Sequence, residues 1–171
     1  YCNSLKEIVL HNNITSIEQY AFSGCTSLQN IVLPESLNSI GNYAFFSCKS
    51  FTEIIIPDSV KTIGSQAFSD CINVTNIQLG SSIETIGSHA FINNKVESII
   101  VPNSVQQIGN GAFKGCNSLK EITLPFVGIS RNSISTFGYI FDYTTSSSSE
   151  TTKQGGGSYY YYIPKSITKV T

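Results

Sequence analysis

Short apolar stretches with a period of two return along the chain. In the stretch that ends at Leu33, Ile31 and Leu33 are two residues apart, so both side chains point to one face of a strand, and Leu28 precedes them. Proline ends a strand because it lacks an amide hydrogen, and it follows four of the six copies. The pattern predicts one short strand per copy and a parallel sheet. The other copies are Leu5/Ile8/Leu10, Phe51/Ile54/Ile56, Val74/Ile77/Leu79, Val96/Ile99/Val101 and Leu119/Ile122/Leu124.

A second apolar segment follows each of these strands. Leu37 and Ile40 begin it in one copy, and Val60/Ile63, Ile83/Ile86 and Val105/Ile108 repeat it, which predicts a second wall of short strands. Glycine then precedes x-x-Ala-Phe, where we expect one turn of 3-10 or α-helix. The glycine indicates either a positive φ or a close backbone approach. Glu18 takes the glycine position in the first copy, so we expect that corner to differ or to be strained.

The spacing of the Ala-Phe pairs defines a repeat. The pairs end at Phe22, Phe45, Phe68, Phe91 and Phe113, so each lies twenty-three positions after the one before, except the last, which comes one position early. A period in this range is typical of leucine-rich repeats, in which each unit buries its apolar side only by stacking on its neighbours. The fold class predicted is a repeat solenoid, mostly β, with the five phenylalanines stacked in its core.

Cysteine follows the same period, at Cys2, Cys25, Cys48, Cys71 and Cys116. Metal sites require Cys or His ligands at shorter spacings than these. Two interpretations of the column stay open: a ladder of disulfides between adjacent turns, or buried free thiols that pack as small apolar groups. We favour the second, because equivalent side chains point the same way. The predicted structural core therefore contains Phe22, Phe45, Phe68, Phe91, Phe113, Cys25, Cys48, Cys71 and Cys116.

The complete unit, as in residues 28–48, is LxxIxLPxSLxxIGxxAFxxC. It resembles the BspA-type leucine-rich repeats over residues 1 to about 125. The resemblance implies a secreted or cell-surface protein that functions in adhesion or in recognition of a protein partner. It implies no enzymatic activity and supplies no fixed set of functional residues. The segments LPFVG, FGYIF and YYIP in the second part of the chain resemble those of bacterial members.

The period fails after Pro125, and residues 126–162 form an irregular insert. Residues 137–141 are apolar and are predicted to pack on the end of the sheet, whereas 144–158 are rich in Ser, Thr and Gly and are predicted to be a mobile loop. The tyrosine run 159–162 has two interpretations: a strand that covers a sheet edge, which we favour, or an aromatic platform for a glycan. Residues 163–171 restore Pro-x-Ser-apolar, which predicts the start of a resumed repeat. The chain begins and ends within a repeat, so we expect a fragment of a longer protein.

Composition excludes several classes of function. The 171 residues carry a net charge of −1 with 12% charged residues, so a basic nucleic-acid-binding surface is not expected. An apolar run long enough for membrane insertion is missing. His11 and His89 have no nucleophile or carboxylate placed beside them in the pattern, and the sequence contains no cofactor or metal motif. We therefore predict a protein that is not an enzyme and has no cofactor and no metal.

The outer face of the main sheet is the predicted functional surface. One half-aliphatic column projects there, and a polar column runs beside it. An exposed apolar stripe is typical of an interface, although β-branched residues also suit stacked strands, and both explanations can hold together. The predicted partner is a host or matrix protein; a passive spacer or a glycan-binding module are the alternatives. The first column is Val9, Val32, Ile55, Gln78, Ile100 and Thr123; the second is Glu7, Asn30, Glu53, Asn76, Ser98 and Glu121.

Overall fold

The computed structural model describes residues 2–126, 130, 137–144, 152–153, 160–161 and 163–171. Its repeats form successive turns of a solenoid with two β walls and a core between them. Each turn contributes one segment to the main wall and one to the second wall, joined by corners. The predicted fold class, a mostly β leucine-rich-repeat solenoid, is confirmed.

The second wall is the more regular of the two. It is a five-stranded parallel sheet in the order β1 (Ser16–Ile17), β2 (Ser39–Ile40), β4 (Thr62–Ile63), β6 (Thr85–Ile86) and β8 (Gln107–Ile108). The isoleucine of each strand pairs with the isoleucine of the next turn and is buried, while the residue before it is exposed or half-buried. This alternation follows from the period of two in a strand with one face on the core.

The main wall is interrupted, so the prediction of one sheet with a strand in every turn is wrong. β3 (Glu53–Ile55) pairs only with β5 (Asn76–Gln78) within the described residues. A separate parallel sheet contains β7 (Ser98–Ile100), β9 (Glu121–Thr123) and β13 (Lys169–Val170). The equivalent segments of the first two turns, 5–10 and 28–33, run alongside without strand geometry.

The first interruption has a side-chain cause. The amides of Thr52 and Glu53 donate to Asn30 Oδ1 at 2.9 and 3.3 Å, and Asn30 Nδ2 donates to Thr52 Oγ1 at 3.0 Å. An asparagine side chain therefore accepts the hydrogen bonds that a neighbouring strand would accept. Because each backbone amide has only one hydrogen to donate, the ladder begins at β3 instead of one turn earlier.

The second interruption coincides with the short step of the repeat. In regular turns the first amide of the main-wall segment donates to the carbonyl one full repeat earlier, as from Thr75 to Thr52 and from Lys120 to Glu97. At the short step the amide of Lys95, two positions before the residue equivalent to Thr75, donates to the carbonyl of Val74, one position before the usual acceptor. The shifted register leaves β5 and β7 side by side but, within the described residues, without a pairing between them.

The corners distinguish the two explanations for the repeated glycine. A Cβ on Gly41, Gly64, Gly87 or Gly109 would lie 2.3–2.7 Å from a backbone atom of the preceding turn, and their φ angles are not positive. Close approach is therefore the reason for glycine. The positive φ falls two residues later instead, at 54–61° in every turn. These left-handed residues are Tyr20, Tyr43, Gln66, His89 and Gly111.

The expectation that Glu18 changes the first corner is wrong. Tyr20 has the same φ as its equivalents, and the amide of Ala21 donates to the carbonyl of Glu18 as that of Ala44 does to Gly41. Because the glycine position does not need a positive φ, glutamate adopts it without backbone strain. Each corner is a series of turns with i to i+3 hydrogen bonds, and the left-handed residue prevents a continuous helix.

Phenylalanine rings form a continuous stack through the core. Neighbouring rings from Phe22 to Phe113 are nearly parallel, with centroids 5.1–5.8 Å apart. Phe45, Phe68, Phe91 and Phe113 are at most 1% exposed, whereas Phe22 in the first turn is half-buried. Each interior ring is covered by the rings of the turns before and after it, so its burial depends on both neighbours.

The cysteine column lies beside this stack. Cys25, Cys48, Cys71 and Cys116 are buried, and three of the thiols donate to a carbonyl of the preceding turn. These bonds are 3.2 Å from Cys48 to Phe22, 3.3 Å from Cys71 to Phe45 and 3.2 Å from Cys116 to Phe91. Burial raises the pKa of Cys48 and of Cys116 to about 12, and raises that of Cys71 well above its usual value. The thiols are thus protonated donors at neutral pH.

Thiol reactivity provides a prediction. At pH 8 the folded chain is expected to react with a thiol reagent such as dithionitrobenzoate at one of its five cysteines, Cys2, because Cys2 alone is exposed. All five are expected to react in urea, after the chain unfolds. Mass spectrometry of the alkylated chain checks which thiol reacted. Rapid reaction of Cys48 or Cys71 in the native state would contradict their placement in the core.

The same pKa shifts imply a pH dependence. A thiol whose pKa is higher in the folded than in the unfolded chain keeps its proton longer in the folded state, so its stabilising contribution is complete below about pH 9. The contribution is lost as the pH rises toward 12. The free energy of unfolding, measured by urea denaturation at a series of pH values, is therefore expected to fall between about pH 9 and pH 12.

Asn94 occupies the cysteine position in the short turn. It is 1% exposed, and its Nδ2 donates to the carbonyls of Phe68, Phe91 and Ile92 at 3.0–3.2 Å. Its Oδ1 is buried and accepts no hydrogen bond from the described residues. An amide thus replaces the thiol donor where the chain lacks one residue.

The insert packs on the last corner. A 3-10 helix at Phe137–Phe141 accepts hydrogen bonds from the amides of Gly111 and Phe113, through the carbonyls of Tyr139 and Ile140. The helix therefore extends the stack of corners. This differs from the prediction, which placed residues 137–141 on the end of the sheet. Ile140 and Phe141 are buried against the core.

The rest of the insert contains three short antiparallel strands. β10 (Tyr143–Thr144) and β11 (Thr152–Lys153) both pair with β12 (Tyr160–Tyr161). Tyr160 and Tyr161, the two described residues of the tyrosine run, thus pair within the insert, whereas we favoured pairing with the solenoid sheet. Of the predicted mobile loop 144–158, only residues 144 and 152–153 belong to the described residues.

The last described segment joins the main wall. Val170 of β13 pairs with Ile122, and Ser166 Oγ donates to the carbonyl of Leu119 at 2.5 Å. The Pro-x-Ser-apolar pattern after Ile163 precedes second-wall strands in the earlier copies, whereas here it precedes a strand of the main wall. The pattern Ser-apolar-x-x-apolar occurs in both halves of the repeat. The sequence alone therefore does not tell which wall this segment joins.

Candidate partner-binding surface

The predicted aliphatic column lies on the outer face of the main wall. Val9, Val32 and Ile100 are 81%, 85% and 71% exposed, and Ile55 is 48% exposed. Each side chain projects outward because the residues before and after it in its main-wall segment point into the core. Gln78 is exposed and Thr123 is half-buried in the same column. The column is therefore an apolar stripe that crosses successive turns, as expected from sequence.

The polar column runs beside this stripe. Glu7, Asn30, Asn76, Ser98 and Glu121 are exposed and Glu53 is half-buried. Two exposed ion pairs lie at the C-terminal end of the wall, Lys120 to Glu97 at 2.8 Å and Lys169 to Glu121 at 3.4 Å. Such exposed pairs contribute little to stability. Asn30 also has a structural role, because its side chain accepts hydrogen bonds from backbone amides of the next turn.

Two grooves open on this face, one at each interruption of the main wall. The first has a volume of about 220 Å³ and lies between the segment that carries Asn30 and β3. The second, of about 450 Å³, lies between β5 and β7. The first groove is lined by Asn30, Ile31, Val32, Leu33, Glu35, Glu53, Ile55 and Pro57.

The two grooves use the same positions of the repeat. Asn30 and Val32 in the first correspond to Asn76 and Gln78 in the second, two repeats later. The opposite side is equally matched, because Ile55 and Pro57 correspond to Ile100 and Pro102 across the short step. A pair of equivalent grooves, two turns apart, is thus built into the stripe. Neither groove was predicted from the sequence; asparagine in place of glutamate or serine at the start of the main-wall segment was the available signal.

The other chemically notable cluster joins the insert to the corners. Asp142 Oδ2 lies 2.6 Å from Lys114 Nζ and 3.6 Å from His89 Nε2, and its side chain is 15% exposed. The carboxylate thus bridges two corners to the segment that follows the 3-10 helix. His89 takes a position whose residue varies from turn to turn, as is typical of a surface position, but this contact holds it at the junction with the insert. In the described part of the chain, no group of three or more His, Cys, Asp or Glu could hold a metal ion.

Comparison with known families decides the classification. The profile of the BspA type leucine rich repeat region matches in six copies, over residues 1–120 and 38–154. The chain belongs to the BspA-type leucine-rich repeat family. No curated protein sequence matches the chain significantly. A BspA-type chain is a repeat module, and its assignment to this family agrees with the resemblance seen in the unit LxxIxLPxSLxxIGxxAFxxC.

Solved structures with the same repeat resemble this BspA-type chain. The leucine-rich repeat protein of T. pallidum (TpLRR) is 34% identical with a TM-score of 0.67, over 70% of this chain and 58% of that one. A leucine rich cell surface protein of Faecalibacterium prausnitzii A2-165 is 30% identical, with a TM-score of 0.53 over 72% and 41%. A leucine-rich repeat protein of Bacteroides ovatus ATCC 8483 is 27% identical, with a TM-score of 0.51 over 72% and 44%. The chain thus spans about half the length of these proteins.

The helical content of the described residues bears on membrane insertion. Among them, no helix is long and apolar enough to cross a bilayer.

Proposed function

We propose that the chain is a protein-binding module of a secreted or cell-surface protein, and that the outer face of its main wall contacts the partner. The observation that carries the proposal is the exposure of the aliphatic stripe, since Val9, Val32 and Ile100 are exposed over most of their surface. Large aliphatic side chains in one line on a rigid sheet lose little conformational entropy on binding. The family assignment and the likeness to a cell surface protein support the proposed location.

Adhesion or recognition of a host protein accounts for this surface better than catalysis does. The two grooves contain carboxylates and amides but no histidine, cysteine or paired acid and base among their described lining residues. An exposed apolar stripe bordered by polar side chains is typical of a protein interface. The proposal therefore assigns no enzymatic activity to this chain. A passive spacer is the alternative, and it requires no partner for this face.

A double charge substitution tests the proposal. The variant with Val32→Glu and Ile55→Lys keeps the net charge and places two charges at the middle of the stripe. Binding to purified matrix or host cell-surface proteins, measured by biolayer interferometry with the immobilised chain, is expected to weaken by at least about tenfold. The matched control is Thr62→Glu with Gln107→Lys, which makes the same change on exposed positions of the second wall.

Circular dichroism must show that both variants are folded. Loss of binding in the stripe variant alone supports the proposal. Unchanged binding by the stripe variant would contradict it, and equal loss in both variants would move the contact away from the main wall. If none of the proteins binds the unmodified chain, the spacer alternative is favoured.

A further inference from the structure

We propose that the two grooves together bind one extended, proline-rich peptide segment in the polyproline II conformation. The segment would run across the strands, place two apolar side chains three residues apart into the grooves, and carry basic residues next to them. This inference rests on the proposed function of the main-wall face and names the kind of partner that the face accepts.

Groove spacing selects the peptide conformation. Neighbouring turns of a parallel sheet lie about 4.7–4.9 Å apart, so equivalent points of the two grooves, two turns apart, are separated by about 10 Å. Polyproline II has three residues per turn and a rise of about 3.1 Å, which puts residues i and i+3 on one face about 9.3 Å apart. Residues on one face of an extended strand are about 7 or 13 Å apart, so they do not match.

The ridge between the two grooves favours a polyproline II peptide over an α-helical one. β3 and β5 form this ridge, and Ile55 stands on it half exposed. An α-helix matches the spacing only with residues i and i+7, and residues i+3 and i+4 on the same face would then meet the ridge. In polyproline II the two intervening residues point away from the sheet. The ridge can therefore lie beneath the peptide backbone.

The walls of the grooves offer both apolar contact and hydrogen bonds. Val32 and Ile55 face the first groove, and Gln78 and Ile100 face the second. In the second groove, the edges of β5 and β7 are not paired with each other in the described residues, which leaves backbone groups directed into the gap. Polyproline II has no internal hydrogen bonds, so its carbonyls are free to accept from these amides and from Gln78.

Charge specifies the flanking residues of the peptide. Glu35 and Glu53 line the first groove, and Asp58 lines the second. Every charged side chain among the described lining residues is therefore acidic. The amide of Ser81 donates to Asp58 Oδ1 at 2.6 Å, and this bond lowers the pKa of Asp58. The face is therefore negative at neutral pH. A partner with lysine or arginine near its apolar residues complements it.

Synthetic peptides test this inference. The probe is a fluorescent ten-residue peptide of prolines with leucine at two positions three residues apart and a lysine at each end. Saturable binding, measured by fluorescence polarisation, is expected to weaken by at least about tenfold when the leucines are moved to a spacing of four. A similar loss is expected when both lysines become glutamates, and the affinity for the original probe is expected to fall as salt rises.

Variants of the protein locate the contact. Ser98→Phe fills the second groove and is expected to weaken probe binding at least about tenfold. The control is Glu7→Phe, which lies in the same column but outside both grooves and is expected to leave the affinity unchanged. Glu53→Lys reverses a charge in the first groove without adding bulk to the core and is expected to weaken binding too. Circular dichroism checks the fold of each variant.

Several results would overturn the inference. These are the absence of binding by the proline-rich probe, equal affinity at both leucine spacings, or tighter binding by a helix-forming peptide with leucines at i and i+7. In each case the proposed function can still stand, because the stripe variant is tested against whole proteins. If that variant also keeps its partner, both the inference and the proposed function fail.

Discussion

Replacement of Phe68 by alanine is expected to lower the free energy of unfolding by about 3–5 kcal/mol. The ring is 1% exposed and stacks between Phe45 and Phe91, with centroids 5.1 and 5.8 Å away. Its removal leaves a cavity lined by rings that are fixed by their own turns, so collapse of the site is limited. Urea denaturation of the whole chain, followed by far-ultraviolet circular dichroism, measures the loss.

Phe22→Ala is the matched control for this prediction. Phe22 has the same position in the repeat but is half-buried and stacks on one ring, Phe45, at 5.2 Å. We expect the control to lose about half as much stability as Phe68→Ala or less, because fewer contacts disappear and the cavity opens to solvent. Equal losses for the two variants would show that the stack does not transmit stability from turn to turn.

The regular half of the fold is the part that sequence predicted well. The second wall, the phenylalanine stack and the buried cysteine column all follow from one unit that is repeated with little change. Repetition makes such a prediction reliable, because an error in one copy is visible against the others. The outward orientation of Val32 and Ile100 followed in the same way, from the period of two in a strand.

The main wall was predicted less well, because departures from the repeat at individual positions interrupt it. Asn30 and Asn76 both differ from the glutamate or serine of other copies, and the wall is interrupted after each of them. In the first case the side chain takes the amides of the next turn. In the second case the chain is one residue short after Phe91, and the register shifts. Neither effect is visible in apolar periodicity, which does not record where backbone amides donate.

The same two departures form the candidate site. A perfectly regular repeat would give a closed, continuous main wall with a stripe but without the two grooves. The substitution at Asn30 and the missing residue near Asn94 open the wall at equivalent positions, two turns apart. Departures from a repeat are therefore where a functional site is best sought in this fold, since regular positions are already explained by packing.

Replacement of Gly87 by alanine is expected to destabilise the chain by about 3 kcal/mol, the upper end of the usual range for overpacking. A Cβ at this position would lie 2.4 Å from the amide nitrogen of Ser65 and 2.5 Å from the carbonyl carbon of Gly64. Both atoms belong to the backbone of the preceding turn, so no side chain can move aside. The two turns must separate, which weakens the pairing of β4 with β6 on which the core between them depends.

Glu18→Ala is the control for the glycine prediction, since Glu18 holds the same position in the first turn with a side chain already present. Its carboxylate accepts a hydrogen bond from Ser16 Oγ at 2.6 Å, an exposed contact whose loss is expected to change stability by less than about 0.5 kcal/mol. Urea denaturation of Gly87→Ala and Glu18→Ala compares the two. A large loss confined to Gly87→Ala means that close stacking of the turns requires glycine at this position. Equal small losses would show that the corners can separate at little cost, and the rigidity of the sheet on which the proposed function depends would then be wrong.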